Sequence, residues 1–172
     1  MKENIAQRDF EFLVKNVFIP LGYDYSRLDE EKEGQEYGAC IYSLNGLAIK
    51  SRTAKITPKK VGQFVTLWKR NSKEITEPHD ESDLFDFYVI NVRNNKKFGQ
   101  FIFPKSILSK QGILTTAKKD GKRGFRVYPS WDKAINKQAV KTQSWQLKFF
   151  TEISSPSTLE ILQRLYKITL GK

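Results

Sequence analysis

KSRTAKITPKKVGQFVTLWKR, residues 50–70, holds seven lysines and arginines and no acidic residue, and its reading decides the fold. Its first third continues a run that begins at Leu47. β-Branched and apolar residues alternate there with longer polar ones as far as Ile56, which is the pattern of a strand. A strand places Lys50 and Arg52 on one face, because successive side chains alternate across a sheet. Thr57 then offers an N-cap oxygen, and Pro58 is tolerated at a first helical position. Val61, Phe64, Val65 and Trp68 recur at i, i+3, i+4 and i+7. The spacing predicts a helix over 58–70 with those four buried and Lys59, Lys60, Lys69 and Arg70 outside. On this reading the strand-to-helix turn presents free backbone N–H groups, the positive end of a helix dipole and adjacent lysines, which together make an anion site.

Upstream, Asn45-Gly46 is a type I′ turn signal, so residues 37–44 and 47–56 are expected to pair antiparallel. Before them, Ala6, Phe10, Leu13, Val14, Val17 and Phe18 form the apolar face of a helix from Asn4 to Phe18, ended by Pro20 and Gly22. An acidic connector, residues 29–36, follows it. Downstream, residues 71–84 read as a loop with solvent-facing carboxylates. Residues 86–92 and 98–104 read as a second hairpin around the turn at 93–97. Pro104 closes it, a short helix spans 105–111, and Gly112 fits its C-terminal cap. A longer helix is predicted from Lys137 to Ile153, with Val140, Leu147, Phe150 and Ile153 buried and Lys137, Lys141 and Lys148 aligned on another face. Ser157 with Glu160 three residues later resembles a capping box opening a terminal helix. The fold class expected is α/β (α+β), with a central mixed, largely antiparallel sheet and flanking helices. The 172 residues suffice for one domain, 1–172, with a substantial core.

The net charge of +11 is segregated along the chain. Residues 1–44 carry five basic and nine acidic groups, 45–70 seven and none, 71–87 one and six, and 88–148 fourteen and two. Two basic blocks divided by an acidic loop point to a polyanionic partner, since charge serving solubility alone would be mixed. The segment KKDGKRGFRVYPSW (118–131) places Lys118, Lys119, Lys122, Arg123 and Arg126 about a turn at Asp120-Gly121. Phe125, Tyr128 and Trp131 are interleaved, either to stack on bases or to anchor the core.

Several chemistries lack their residues. The single cysteine, Cys40, excludes an internal disulfide and reads as a small buried strand residue. His79, the only histidine, lies in an acidic loop with no sign of a Cys–His pair or of a metal set with Asp80 and Glu81. No apolar run approaches membrane-spanning length and no signal peptide is visible, so a cytoplasmic location is expected. Glycine-rich phosphate loops, zinc spacings and nucleophile elbows are missing, and no cofactor is called for. A metal nuclease needs convergent carboxylates, for which Glu36, Asp83 and Asp86 are the best available set.

EYGAC (36–40), AKITPKKVGQFVTLWKR (54–70), DFYVINVRNNKKFGQFIFPKSIL (86–108), GKRGFRVYPSWD (121–132) and NKQAVKTQSWQLKFF (136–150) resemble the MepB family. These are small bacterial proteins named from a cluster that also encodes a multidrug efflux pump and its repressor. The resemblance implies a fold similar to the PD-(D/E)XK endonuclease-like proteins, a mixed sheet with flanking helices and a nucleic-acid groove. The chain departs from the nuclease motif, having no in-strand Asp followed by an acid-x-Lys triplet, so catalysis is not expected while binding is.

The expected function is therefore binding of nucleic acid, DNA more than RNA, through backbone phosphates and with little sequence preference. The residues expected to carry it are Lys50, Arg52, Lys55, Lys59 and Lys60 at the central junction, then Lys118, Lys119, Lys122, Arg123 and Arg126, with Lys137 and Lys141 behind them. The alternatives are a divalent-metal nuclease and a module holding a small anion or a protein partner.

Overall fold

A computed structural model describes residues 2–153 and 156–167, with no side-chain description for 156 and 157. In chain order its elements are α1 (Ile5–Leu13), which runs through a π-helical turn (Val14–Phe18) into α2 (Ile19–Leu21), then β1 (Asp29–Glu30), β2 (Cys40–Leu44), β3 (Leu47–Thr53), β4 (Lys55–Thr57) and β5 (Lys60–Thr66). Next come β6 (Trp68–Arg70), β7 (Thr76–Pro78), β8 (Phe87–Asn94), β9 (Lys97–Pro104), α3 (Lys105–Lys110), β10 (Gly124–Val127), α4 (Lys137–Gln146), β11 (Phe150–Glu152) and α5 (Pro156–Lys167).

The large sheet has the order β1-β2-β3-β8-β9-β11, antiparallel throughout except where β3 runs parallel to β8. It is a mixed α+β fold. The period of two sorts its side chains between two cores. Phe87, Val89 and Ile102 face a layer that includes Phe10, Leu13 and Phe18 of the first helical segment and Leu162 and Leu165 of α5. Tyr88, Ile90, Val92, Phe101 and Phe103 face the other way, against Val65, Leu67, Phe125 and Val127. Those last residues belong to β5, to β10 and, for Leu67, to the link between β5 and β6, since a smaller sheet of order β10-β5-β4 covers that face. Buried Asp9 ties α1 to the large sheet, accepting from the Arg93 guanidinium (2.6 and 2.9 Å) and from Thr53 Oγ1 (2.6 Å).

Both hairpins and the third helix lie where the sequence places them, the first helical segment runs on through Pro20 to Leu21 instead of ending at Phe18, and Gly22 and Gly112 take the left-handed conformation at the helix ends. The segment 58–70 does not form a helix. Pro58 and Lys59 make the turn of a β4–β5 hairpin, in which Thr57 faces Lys60, and the chain continues as two strands. The side chains alternate accordingly: Gln63, Val65 and Leu67 are buried while Phe64, Thr66 and Trp68 are half-exposed. A helical stripe and a strand alternation coincide at several of these positions. The β-branched and aromatic content then favours the pleated surface, and Gly62 at φ +84° has no place inside a helix. A Cβ on Gly62 would also sit 2.7 Å from the Tyr128 ring.

The predicted strand 47–56 breaks at Ala54, whose N–H bonds to Asn91 O as the chain crosses from the large sheet to the small one. The helix expected over 137–153 stops at Gln146, and Phe150–Glu152 forms an edge strand on β9 instead. Val140 and Leu147 are exposed rather than buried, because the inner face of α4 is anchored by glutamines. Gln146 accepts from Tyr128 N–H and donates to Arg126 O, while Gln143 donates to the carbonyls of Pro129 and Asp132. The proposed capping box at Ser157 lies outside the described side chains.

Candidate nucleic-acid interface

Three sequence-distant elements enclose a cleft of about 740 Å³. The β4–β5 hairpin contributes Lys59 and Lys60, the segment around β10 contributes Lys122 and Arg126, and α4 contributes Lys141; among the described residues no Asp or Glu lines the cleft. Arg126 also fastens the hairpin, donating to Thr57 Oγ1 (2.6 Å) and to the Gly62 carbonyl (3.3 Å). A second depression of about 650 Å³ adjoins the first, sharing Lys141 and Trp145 with it and adding Lys137 and Lys148. Among the described residues it too has no carboxylate in its lining. Charges from residues 59 to 148 thus converge on one side of the small sheet and α4. In low-dielectric surroundings such a concentration of one sign attracts phosphates strongly.

Six of the twelve expected contact residues therefore meet here: Lys59, Lys60, Lys122, Arg126, Lys137 and Lys141. The others lie elsewhere. Lys50 and Arg52 do share a strand face, but it is an interior one, and both donate to the Glu31 carboxylate. They are 8% and 2% exposed and so present no surface cation. Glu31 reaches them because its N–H bonds to Ala39 O beside β2, which folds the acidic connector over β3. Burial acts to raise the Glu31 carboxyl, but attraction from Arg52 and Lys50 outweighs it and leaves the group below its ordinary range. Lys55 lies over the Tyr37 ring at 4.5 Å. Lys118 and Lys119 occupy an exposed turn outside the cleft lining, and Arg123 donates to Thr76 O by a separate shallow depression.

The anion site expected at a helix N-terminus after Thr57 does not exist, since the helix does not. Its lysines nonetheless reach the cleft from a hairpin tip. Of the interleaved aromatics, Trp131 packs on Phe150, Phe125 belongs to the core and shows only an edge to the cleft floor, and Tyr128 lines the cleft from a half-exposed position. Trp145, which lines both depressions, was invisible to sequence reasoning because nothing in QSWQ distinguishes a cleft tryptophan from a core one.

Of the three carboxylates considered for a nuclease, Glu36 is exposed and the other two are engaged elsewhere. Asp83 accepts from Lys69 (2.6 Å), from Asp80 N–H and from His79, and Asp86 accepts from Ala48 N–H (2.7 Å). Asp83 thus departs from the expectation that the carboxylates of the 71–84 loop face solvent. Among the described residues no three His, Cys, Asp or Glu side chains gather closely enough to hold a metal ion. His79 is buried, its Nδ1 3.0 Å from Asp83 Oδ2; desolvation first, and then nearby Lys50, push it down to about 4, so it is neutral at physiological pH. Cys40 is buried, and desolvation pushes its thiol up to about 12, which makes it a poor nucleophile. No helix among the described residues is long and apolar enough to cross a membrane.

Fold and cleft together define a mixed α+β domain with a carboxylate-free basic groove. The MepB-like family pattern matches residues 31–152, and a crystal structure of MepB is 33% identical, superposing at a TM-score of 0.76 over 89% of this chain and 99% of that one. The chain belongs to the MepB-like family. A bacterial homing endonuclease, I-Ssp6803I, superposes at a TM-score of 0.45 with 14% identity, covering 83% of this chain and 86% of that one. No curated protein matches the chain in sequence.

Proposed function

We propose that the protein binds nucleic acid, DNA in the first instance, without catalysis and with little sequence preference, by seating backbone phosphates on its basic cleft. The observation that supports this is convergence: Lys59, Lys60, Lys122, Arg126 and Lys141, drawn from a hairpin, a strand segment and a helix, share one lining without a carboxylate. Ordinary solvated lysines need no such gathering, and like charges held together repel unless a polyanion neutralises them. Lysine-rich linings position a phosphate backbone but read few base edges, which accounts for the weak sequence preference.

The test is binding of a fluorescent duplex of 20–30 base pairs across a salt series, with Mg²⁺ present in parallel reactions. A steep negative log–log slope with intact DNA is expected. Lys59→Ala and Lys141→Ala should each weaken binding to all sequences alike and flatten the slope by about one counterion. Mg²⁺-dependent cleavage would replace this reading with a nuclease, and failure to bind at low salt would overturn it.

A further inference from the structure

The cleft carries more than cations. Its junction with the second depression is built around Trp145, half-exposed and held by packing of its indole against Phe103 at 5.3 Å. Beside it stand Ile135 and Val140, 77% and 51% exposed. Phosphate gives such apolar side chains nothing, and a surface that met only a duplex backbone would gain from replacing them by polar ones. Gln111, Gln138 and Thr142 also line the cleft, and the hydrogen bonds described within the chain engage none of their side chains. Their amide and hydroxyl groups therefore remain available to polar groups of a ligand.

Size points the same way. At about 740 and 650 Å³ the two depressions fall within the ~300–1,000 Å³ of pockets that enclose small molecules. A cavity of about 740 Å³ has room for single nucleotides and not for a whole duplex, which would rest on the lysines at its rim. An unpaired nucleotide can descend, leaving its phosphate on Lys59, Lys60 or Lys141 and laying its base on the indole or the apolar pair. Cationic tracks with interspersed aromatic platforms are the general solution for single strands, because every base has a π-face.

We infer that the cleft takes unpaired nucleotides, so that single-stranded nucleic acid is the preferred form of the ligand. This rests on the phosphate-binding reading above and deepens it. The experiment compares a fluorescent fifteen-residue oligo-dT with a mixed-sequence duplex of equal length at one salt concentration, on the wild type, on Ile135→Ser/Val140→Ser and on Trp145→Ala. The strand should bind about tenfold tighter than the duplex and quench tryptophan fluorescence. The double variant, confined to exposed positions, should narrow that preference, and Trp145→Ala should narrow it further. Equal or tighter duplex binding, or a double variant that lowers both affinities alike, overturns the inference while leaving phosphate binding standing. Binding of neither overturns both. Because Trp145→Ala opens a gap beside Phe103, its thermal melt is recorded, and the double variant carries the test if it unfolds.

Discussion

Both Lys50 and Arg52 engage the carboxylate of Glu31, and all three are withdrawn from bulk water to different degrees. Removing one partner from a buried ion cluster leaves uncompensated charge, which costs far more than the intact cluster contributes. Glu31→Gln should therefore destabilise the fold by about 3 kcal/mol, measured by urea unfolding at neutral pH. His79 makes a second residue-scale prediction. Its folded pKa of about 4 lies below the ordinary value of 6.5, so between those values the unfolded chain binds the extra proton. Stability is then fully present above pH 6.5 and falls as pH drops toward 4, by up to ~3 kcal/mol for this group alone. The groups acting on His79 are Lys50, Arg52 and Asp83, and Asp83 itself, held down to about 2, adds its own loss only at lower pH. Unfolding free energy measured from pH 7.5 to 4.5 should show this slope, and His79→Gln should flatten it.

At the scale of elements, the sequence was legible where one pattern stood alone. The turn at Asn45-Gly46 and the dense apolar runs 86–92 and 98–104 admitted one reading, and the strands formed there. Val61, Phe64, Val65 and Trp68 admitted two, and the decision fell to Tyr128, far along the chain, packing against the bare backbone of Gly62. Gly62→Ala should destabilise by roughly 2 kcal/mol or more, since it combines a strained positive φ with a clash; a thermal melt measures it. Helix α4 misled for a different reason: its anchors are polar, and periodicity counts only apolar residues. Gln146 is fully buried and satisfies one backbone N–H and one carbonyl of the β10 region. Gln146→Leu keeps the volume but orphans both groups, at ~1–3 kcal/mol each. Loosening of α4, read as faster amide exchange from Lys137 to Gln146, is expected to accompany it.

For the whole molecule, the charge segregation read from the sequence corresponds to a clustering of cations in space, though not through all the residues it singled out. It singled out Lys59, Lys60, Lys122, Arg126, Lys137 and Lys141, which do converge. It could not see that the acidic connector folds back onto Lys50 and Arg52, because a formal charge count does not say which charges neutralise each other. Trp145 and Ile135 were unreadable for a related reason: exposure of an apolar residue is decided by tertiary packing and not by its neighbours in sequence. The parallel contact of β3 with β8 carries a separate implication, for how the chain reaches this structure. Each flanking hairpin closes over two residues, at Asn45-Gly46 and Asn95-Lys96, and forms from neighbours in sequence. Joining them requires residues 54–86 to be looped out first, a closure whose entropy is lost before any contact rewards it. Refolding should therefore be paced by this seam. Val89→Ala should slow folding, whereas truncations at the outer edge, in β1 or β11, should speed unfolding and leave the folding rate nearly unchanged.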